Sequence, residues 1–307
     1  MSDLKSFLAQ GWQDHAQDPS GVADRLGQGL ALIDDAAGVT DLAALAHHVY
    51  GAHLAQWRQG LEFLAHLDGL ATVEREGASG LALRRFGASL RLCSGDADAR
   101  IALAPTEAIR VGAMAAANLA EHDTPRAMQL LREALAAAEA QGLADSDPVH
   151  RALAASSNNL AATLEEKSSR SDDERALMIA AAQAARVHWA KAGTWLEVER
   201  AEYRLAMTWL QAGDAGQARV HAQACLDIID SNGSAALERF FACEALGLAA
   251  LAMKDDAALH SSLNAMREAH AALGADDRAW CTASLDKLAA SATQRPGAAQ
   301  LAPQVDP

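Results

Sequence analysis

Apolar residues in this chain recur at helical spacing through stretches of about one to two dozen positions, and short polar breaks separate the stretches. Such a period gives each stretch one apolar stripe and predicts an amphipathic helix. Read by its breaks, the pattern predicts helices over residues 3–16, 20–35, 41–55, 57–72, 79–93, 97–119, 124–141, 148–167, 173–192, 196–212, 215–231, 235–253, 255–273 and 276–291. Several breaks have a physical cause. Asp18-Pro19-Ser20 offers a capping side chain and a fixed backbone angle, while Thr124-Pro125 and Asp147-Pro148 put proline at a first helical position. Gly142, Gly193, Gly213, Gly233 and Gly274 fall at or near expected helix ends, where a left-handed residue is commonly needed. After Ser291 the apolar period stops, and residues 291–307 are expected to be a disordered tail.

The pattern also repeats. Leu210-Gln211-Ala212-Gly213-Asp214, followed by Ala218, is answered by Leu251-Ala252-Met253-Lys254-Asp255, followed by Leu259. Each phrase joins two helical stretches through a tight break, which describes a helical hairpin. The small or apolar residue opening the second helix of each hairpin falls at Ala23, Gly60, Ala127, Ala176, Ala218 and Leu259, in steps of 37, 67, 49, 42 and 41. A period near forty marks a stacked array, because one hairpin cannot bury its apolar face alone. The step of 67 leaves room for an irregular pair around Gly95-Asp96. The step of 49 contains the charged run from Glu165 to Glu174, read as a solvated connection.

These hairpins resemble the tetratricopeptide repeat family, in its longer variant of about forty-two residues per repeat. Leu205, Ala206, Trp209, Gly213, Asp214, Ala218 and Cys225 fall where that family places its large, small, aromatic and turn residues. Leu246-Gly247, Asp255 and Leu259 continue the match, with Ala250 in place of the aromatic and Lys254 in place of the turn glycine. Asn158-Asn159-Leu160-Ala161 and Gln56-Trp57-Arg58-Gln59-Gly60 look like further family phrases. The resemblance covers about two thirds of the chain and departs most over 78–123. It implies an all-α, right-handed superhelical solenoid of six or seven antiparallel hairpins, a single domain over 1–290, with a concave face that binds a protein or peptide segment.

Composition agrees with helices and narrows the partner. Half the residues are apolar but only 4% are aromatic, and Ala and Leu carry most of the apolar share. With 26 basic against 40 acidic residues the formal charge is −14, which argues against nucleic acid as the partner. No stretch approaches the ~20 apolar residues of a membrane span, and the first residues lack the features of a secretory signal. The chain is therefore expected in the cytosol, with Cys93, Cys225, Cys243 and Cys281 as reduced core residues.

Site candidates follow from the hairpin geometry. On the first helix of each hairpin, the resemblance puts Arg200, Tyr203, Arg204 and Met207 on the groove, with Asn158 and Asn159 on the preceding repeat. Asn carboxamides pair with an extended backbone, and Arg forks suit carboxylates. Alternatively, Arg200 and Arg204 merely pair with Glu197, Glu199 or Glu202 on an exposed face. His47, His48, Tyr50, His53 and Trp57 form the densest cluster of functional side chains. On an α-helix, steps of one and six residues scatter the three histidines around the axis, so a metal site needs ligands from elsewhere. Tyr50, His53 and Trp57 share a helical face, which favours packing between hairpins. His221 and Cys225 are four apart, but Cys225 occupies a core position. No nucleotide, zinc-helix or nucleophile motif is present, and neither catalysis nor a cofactor or metal is expected. The rival readings are a peptide-responsive regulator, a homodimer built through the terminal hairpin with Trp280 and Leu285, and, least favoured, an enzyme or metal carrier using the histidines.

Overall fold

The computed structural model describes residues 3–233 and 235–293. Among them the regular elements are all helical and no strand occurs. The helices are α1 (Leu4–Asp14), α2 (Pro19–Gly29), α3 (Ala36–His48), α4 (Trp57–Asp68), α5 (Ala78–Cys93), α6 (Pro105–Leu119), α7 (Thr124–Ala140), α8 (Pro148–Glu165), α9 (Asp172–Ala192), α10 (Trp195–Ala212), α11 (Ala215–Asn232), α12 (Ala236–Met253), α13 (Asp256–Ala271) and α14 (Ala275–Thr293). None of them is long and apolar enough to cross a membrane. The tail expected from 291 keeps helical geometry through Thr293, and residues 294–307 lie outside the described residues.

The capping signals act as their chemistry requires. Carboxylates of Asp18, Asp123 and Asp147 accept hydrogen bonds from the backbone N–H groups of Gly21, Arg126 and Val149, with Pro19 and Pro148 at the helix starts. Of the five glycines near helix ends, Gly142, Gly213 and Gly233 have positive φ, whereas Gly193 and Gly274 do not.

Where the hairpin pattern reads one array over 1–290, the chain forms two compact units, divided within α9 between Leu177 and Met178. In the first unit consecutive helices pack together, and three pairs also pack next but one: α1 on α3, α3 on α5, and α6 on α8. Gly11 makes the first of these close approaches possible. A Cβ there would stand 2.6 Å from Cδ2 of Leu45, so any larger residue must displace that buried side chain or move α1 off α3. Leu26, Leu42, Leu45 and Leu67 are fully buried in the resulting core.

Two interruptions distinguish the first unit. The expected helix over 97–119 is a 3₁₀ turn, Ala97–Arg100, followed by a break and then α6, which starts only at Pro105. Helix α5 packs on this turn, on α4 and on α6. One hairpin therefore has a single turn as its second member, and this accounts for the step of 67. The expected helix over 41–55 starts earlier, at Ala36, and ends in a π turn, Val49–His53, in which Leu54 N–H donates to the Val49 carbonyl at 3.1 Å. The run from Glu165 to Glu174 is tied back to its own backbone. Arg170 bonds the carbonyls of Leu164, Glu165 and Lys167, and Lys167 pairs with Glu174 at 2.7 Å.

In the second unit, consecutive and alternate helices pack in the same way, α10 on α11 and α12, and α12 on α13 and α14. The repeated phrase produces one geometry twice. Gly213 (φ 85°) and Lys254 (φ 61°) both cap their helices in the left-handed region. Asp214 and Asp255 N–H groups donate to the carbonyls of Trp209 and Ala250 at 2.9 Å, and their carboxylates accept from Gln217 and Ala258.

Candidate functional site

The second unit carries a pocket of about 440 Å³ lined by Glu199, Arg200, Tyr203, Leu237, Glu238, Phe241 and Trp280. Its walls come from α10, α12 and α14, which are alternate helices of the stack. The large groups form a chain of edge-on rings: Tyr203 lies 5.7 Å from Phe241, and Phe241 lies 5.2 Å from Trp280, centroid to centroid. Trp280 is 66% exposed, an unusual position for so large an apolar surface. Phe240, fully buried on the far side, meets Phe241 at 5.3 Å and backs it.

Acidic groups set the electrostatics of this pocket. The Arg200 guanidinium donates to Glu238 at 2.7 Å, so its partner is on α12 and not a glutamate of its own helix. Glu199 is buried, and its Oε1 has no hydrogen-bond partner among the described residues. Burial, reinforced by the Glu238 charge, pushes its carboxyl up to about 7. The neighbouring Glu202 shows the opposite outcome in a similar setting. Burial favours its neutral form, but hydrogen bonds from His221 Nδ1 (2.7 Å) and Arg186 Nε (2.5 Å) hold its carboxyl below the usual range. His221 is thereby engaged with Glu202, while Cys225 is buried with its thiol donating to the Glu199 carbonyl, so the two are not arranged as a chelating pair.

Arg200 and Tyr203 line the pocket, and the Tyr203 hydroxyl also donates to Glu244 at 3.5 Å. Met207 packs half-buried against Ala206, Ala222 and Ala245, and Arg204 is half-buried outside the lining. Asn158 and Asn159 belong to the first unit. Asn158 is half-buried, and Asn159 lines a small cavity of about 160 Å³ of mixed character, with His47, His48, Asn118, Ser156 and Thr163 on it beside Ala52, Met114 and Ala117. Glu199, Phe241 and Glu238 were absent from the expected groove set. Phe241 lies on α12 at a position 41 after Arg200, so the repeat step itself pointed to that neighbourhood.

The histidine cluster of the first unit is arranged differently from the helical expectation. The π turn makes residues five apart stack, whereas on an α-helix they would differ by about 140° around the axis. His48 and His53 therefore meet, Nε2 to Nε2 at 3.1 Å, and His15 joins them from the end of α1. One ring nitrogen from each lies within 4.8 Å of the others, so these residues could hold a metal ion. His47 turns the other way, into the core, where it bonds Ser89 Oγ and Asn118 Nδ2, each at 3.1 Å. Burial holds the His47 ring down to about 3. The shared face expected for Tyr50, His53 and Trp57 is lost because the chain leaves the helix at Ala55 (φ 49°). Tyr50 packs toward Phe63, and Trp57 Nε1 donates to the Gly51 carbonyl.

No protein-family model and no curated protein matches this chain.

Proposed function

We propose that the chain is a recognition module whose second unit binds a protein segment presenting a basic residue beside an aromatic or other large apolar one. The observation that carries this reading is the exposed Trp280, standing on Phe241 at the mouth of an acid-lined pocket. Exposed tryptophan over a preformed apolar pocket is the kind of surface in which a few residues supply most of the binding energy. A cationic side chain is favoured twice: by the faces of the aromatic rings, and by Glu199, whose ionised form has lost its hydration and gains from a nearby positive charge.

The finer architectural reading supports the same conclusion. Taken as a right-handed, tetratricopeptide-like superhelix, the stack puts the first helices of successive hairpins on its concave face. The pocket is lined by α10, α12 and α14, which hold that place in the hairpin order. Preformed helices also lower the ordering cost of binding an extended segment.

Selection from a random peptide display library against the tag-free chain tests the proposal. Enriched peptides are expected to share a basic residue next to a large apolar one, and Trp280→Ala, on an exposed position that leaves the core intact, is expected to weaken them about 30-fold. Peptides without that pairing, or binding unchanged in the variant, would overturn it. The same exposed Trp280 favours a second reading, homodimerisation through α14. Light scattering would then show a dimer that Trp280→Ala converts to a monomer.

A further inference from the structure

Three histidine rings in mutual contact need an explanation that packing does not supply. Centroids of His15, His48 and His53 lie 4.7 to 5.2 Å apart, yet only one hydrogen bond, between His48 and His53, joins the three. Imidazole is a costly filler for such a place, since each half-buried ring nitrogen wants a partner. A cation supplies one partner to all three at once.

We propose that His15, His48 and His53 form a binding site for a borderline divalent transition-metal ion, with zinc as the reference ion. Three features of the geometry support it. First, the 3.1 Å between the Nε2 atoms of His48 and His53 is close to the roughly 3.4 Å that separates two nitrogens bound at ~2.0–2.1 Å on a tetrahedral ion, so small ring rotations open the gap. Second, His15 Nδ1 donates to the Trp12 carbonyl at 2.5 Å. That bond fixes the tautomer with a lone pair on Nε2 and orients the ring, as a carbonyl behind a metal-bound histidine does. Third, the ligands rest on a rigid support: α1 packs on α3 through Gly11 and Leu45, and the π turn sets the relative position of His48 and His53. The Trp12 ring lies 5.3 Å from both His15 and His48 and covers the cluster on one side.

The donor set selects the ion class. All three ligands are imidazoles, which suit zinc, copper and nickel, and not magnesium or calcium, which take oxygen. With three protein ligands a tetrahedral ion keeps its fourth position for water. His48 also lines the small cavity that Asn118, Ser156, Asn159 and Thr163 share with Ala52, Met114 and Ala117, so a small oxygen-bearing molecule has some polar groups to meet beside the site. Loading moves the proton shared between His48 and His53 onto the Nδ1 of the ring that held it, so three neutral imidazoles face the ion.

Titrating the tag-free chain with Zn²⁺ against a chromophoric chelator reads the site directly. One equivalent is expected to bind, and His15→Asn or His53→Gln should each weaken it at least ~100-fold while leaving metal-free thermal unfolding unchanged. His66→Gln and His260→Gln remove exposed histidines whose Nδ1 atoms contact carbonyls of their own helices, and these variants should bind zinc as the native chain does. The proposal is overturned if no zinc is held against the chelator, if the His15 and His53 variants bind as tightly as the native chain, or if the control variants lose the ion. Because the site lies in the first unit and the Trp280 pocket in the second, failure of one leaves the other standing.

Discussion

From Trp195 to Ala271 the second unit runs twice through one pattern: a long helix, a left-handed cap, an aspartate N-cap and a second long helix. The first unit builds from the same parts but interrupts them, with a π turn at Val49–His53 and a 3₁₀ turn at Ala97–Arg100 where a helix is expected. The regular stretch leaves a pocket between alternate helices, so the residues around it recur at the repeat step. The interrupted stretch re-aims side chains, and it is there that His48 and His53, on α3 and its π turn, meet His15 from the end of α1. Regular backbone makes a binding surface readable at intervals, whereas a local change of helical pitch creates contacts that no fixed period describes.

The largest effect expected is on the core behind the pocket. Phe240→Ala empties a fully buried site against Leu259, Leu263 and Met266 and should cost about 3–5 kcal/mol in denaturant unfolding, because neighbours refill only part of such a cavity. It should also weaken peptide binding, since Phe241 loses its backing; a loss of stability with binding intact would separate the pocket from its core. In the interrupted unit, His47→Leu leaves Ser89 and Asn118 without their shared partner and should cost about 1–3 kcal/mol. An unchanged midpoint would mean that this buried network does not hold α3, α5 and α6 together.

Glu199→Gln is expected to separate stability from recognition. The unfolded carboxyl ionises near 4.5 and the folded one near 7, so the native chain keeps the full benefit of the protonated group below pH 4.5 and loses it progressively as pH rises to 7. The variant, which cannot ionise, should match the native chain at pH 4 and melt several degrees higher at pH 8. Its affinity for basic peptides should fall at that same pH. Equal melting at both pH values would remove Glu199 as a strained acid.

The smallest pair compares the two caps directly. Lys254→Gly relieves a left-handed side-chain residue and should stabilise by about 0.5–1 kcal/mol, while Gly213→Ala imposes that strain and should cost about 1 kcal/mol. Opposite signs in thermal unfolding would establish that the two hairpins share one cap geometry; equal signs would separate them.

Much of the fold was legible in the residues themselves. Apolar period, proline starts and aspartate caps specify a helix within a few residues of its own sequence, so the helix order was readable throughout, with the break before Pro105 as the main departure. Their spacing of three likewise puts Arg200 and Tyr203 on one side of their helix, because side-chain direction on a regular helix follows from position alone. The contact that gives Arg200 its partner, Glu238, and the ring chain through Phe241 to Trp280 depend on how α10, α12 and α14 pack, which no local pattern states. The π turn is the sharpest case. Nothing in Val49-Tyr50-Gly51-Ala52-His53 announces it, since the pitch of a helix there is decided by what packs around it. Sequence determined the helices and their order because those rest on interactions a few residues apart. Which histidines meet, and which acid loses its water, only the tertiary structure decided, because those depend on groups brought together from distant parts of the chain.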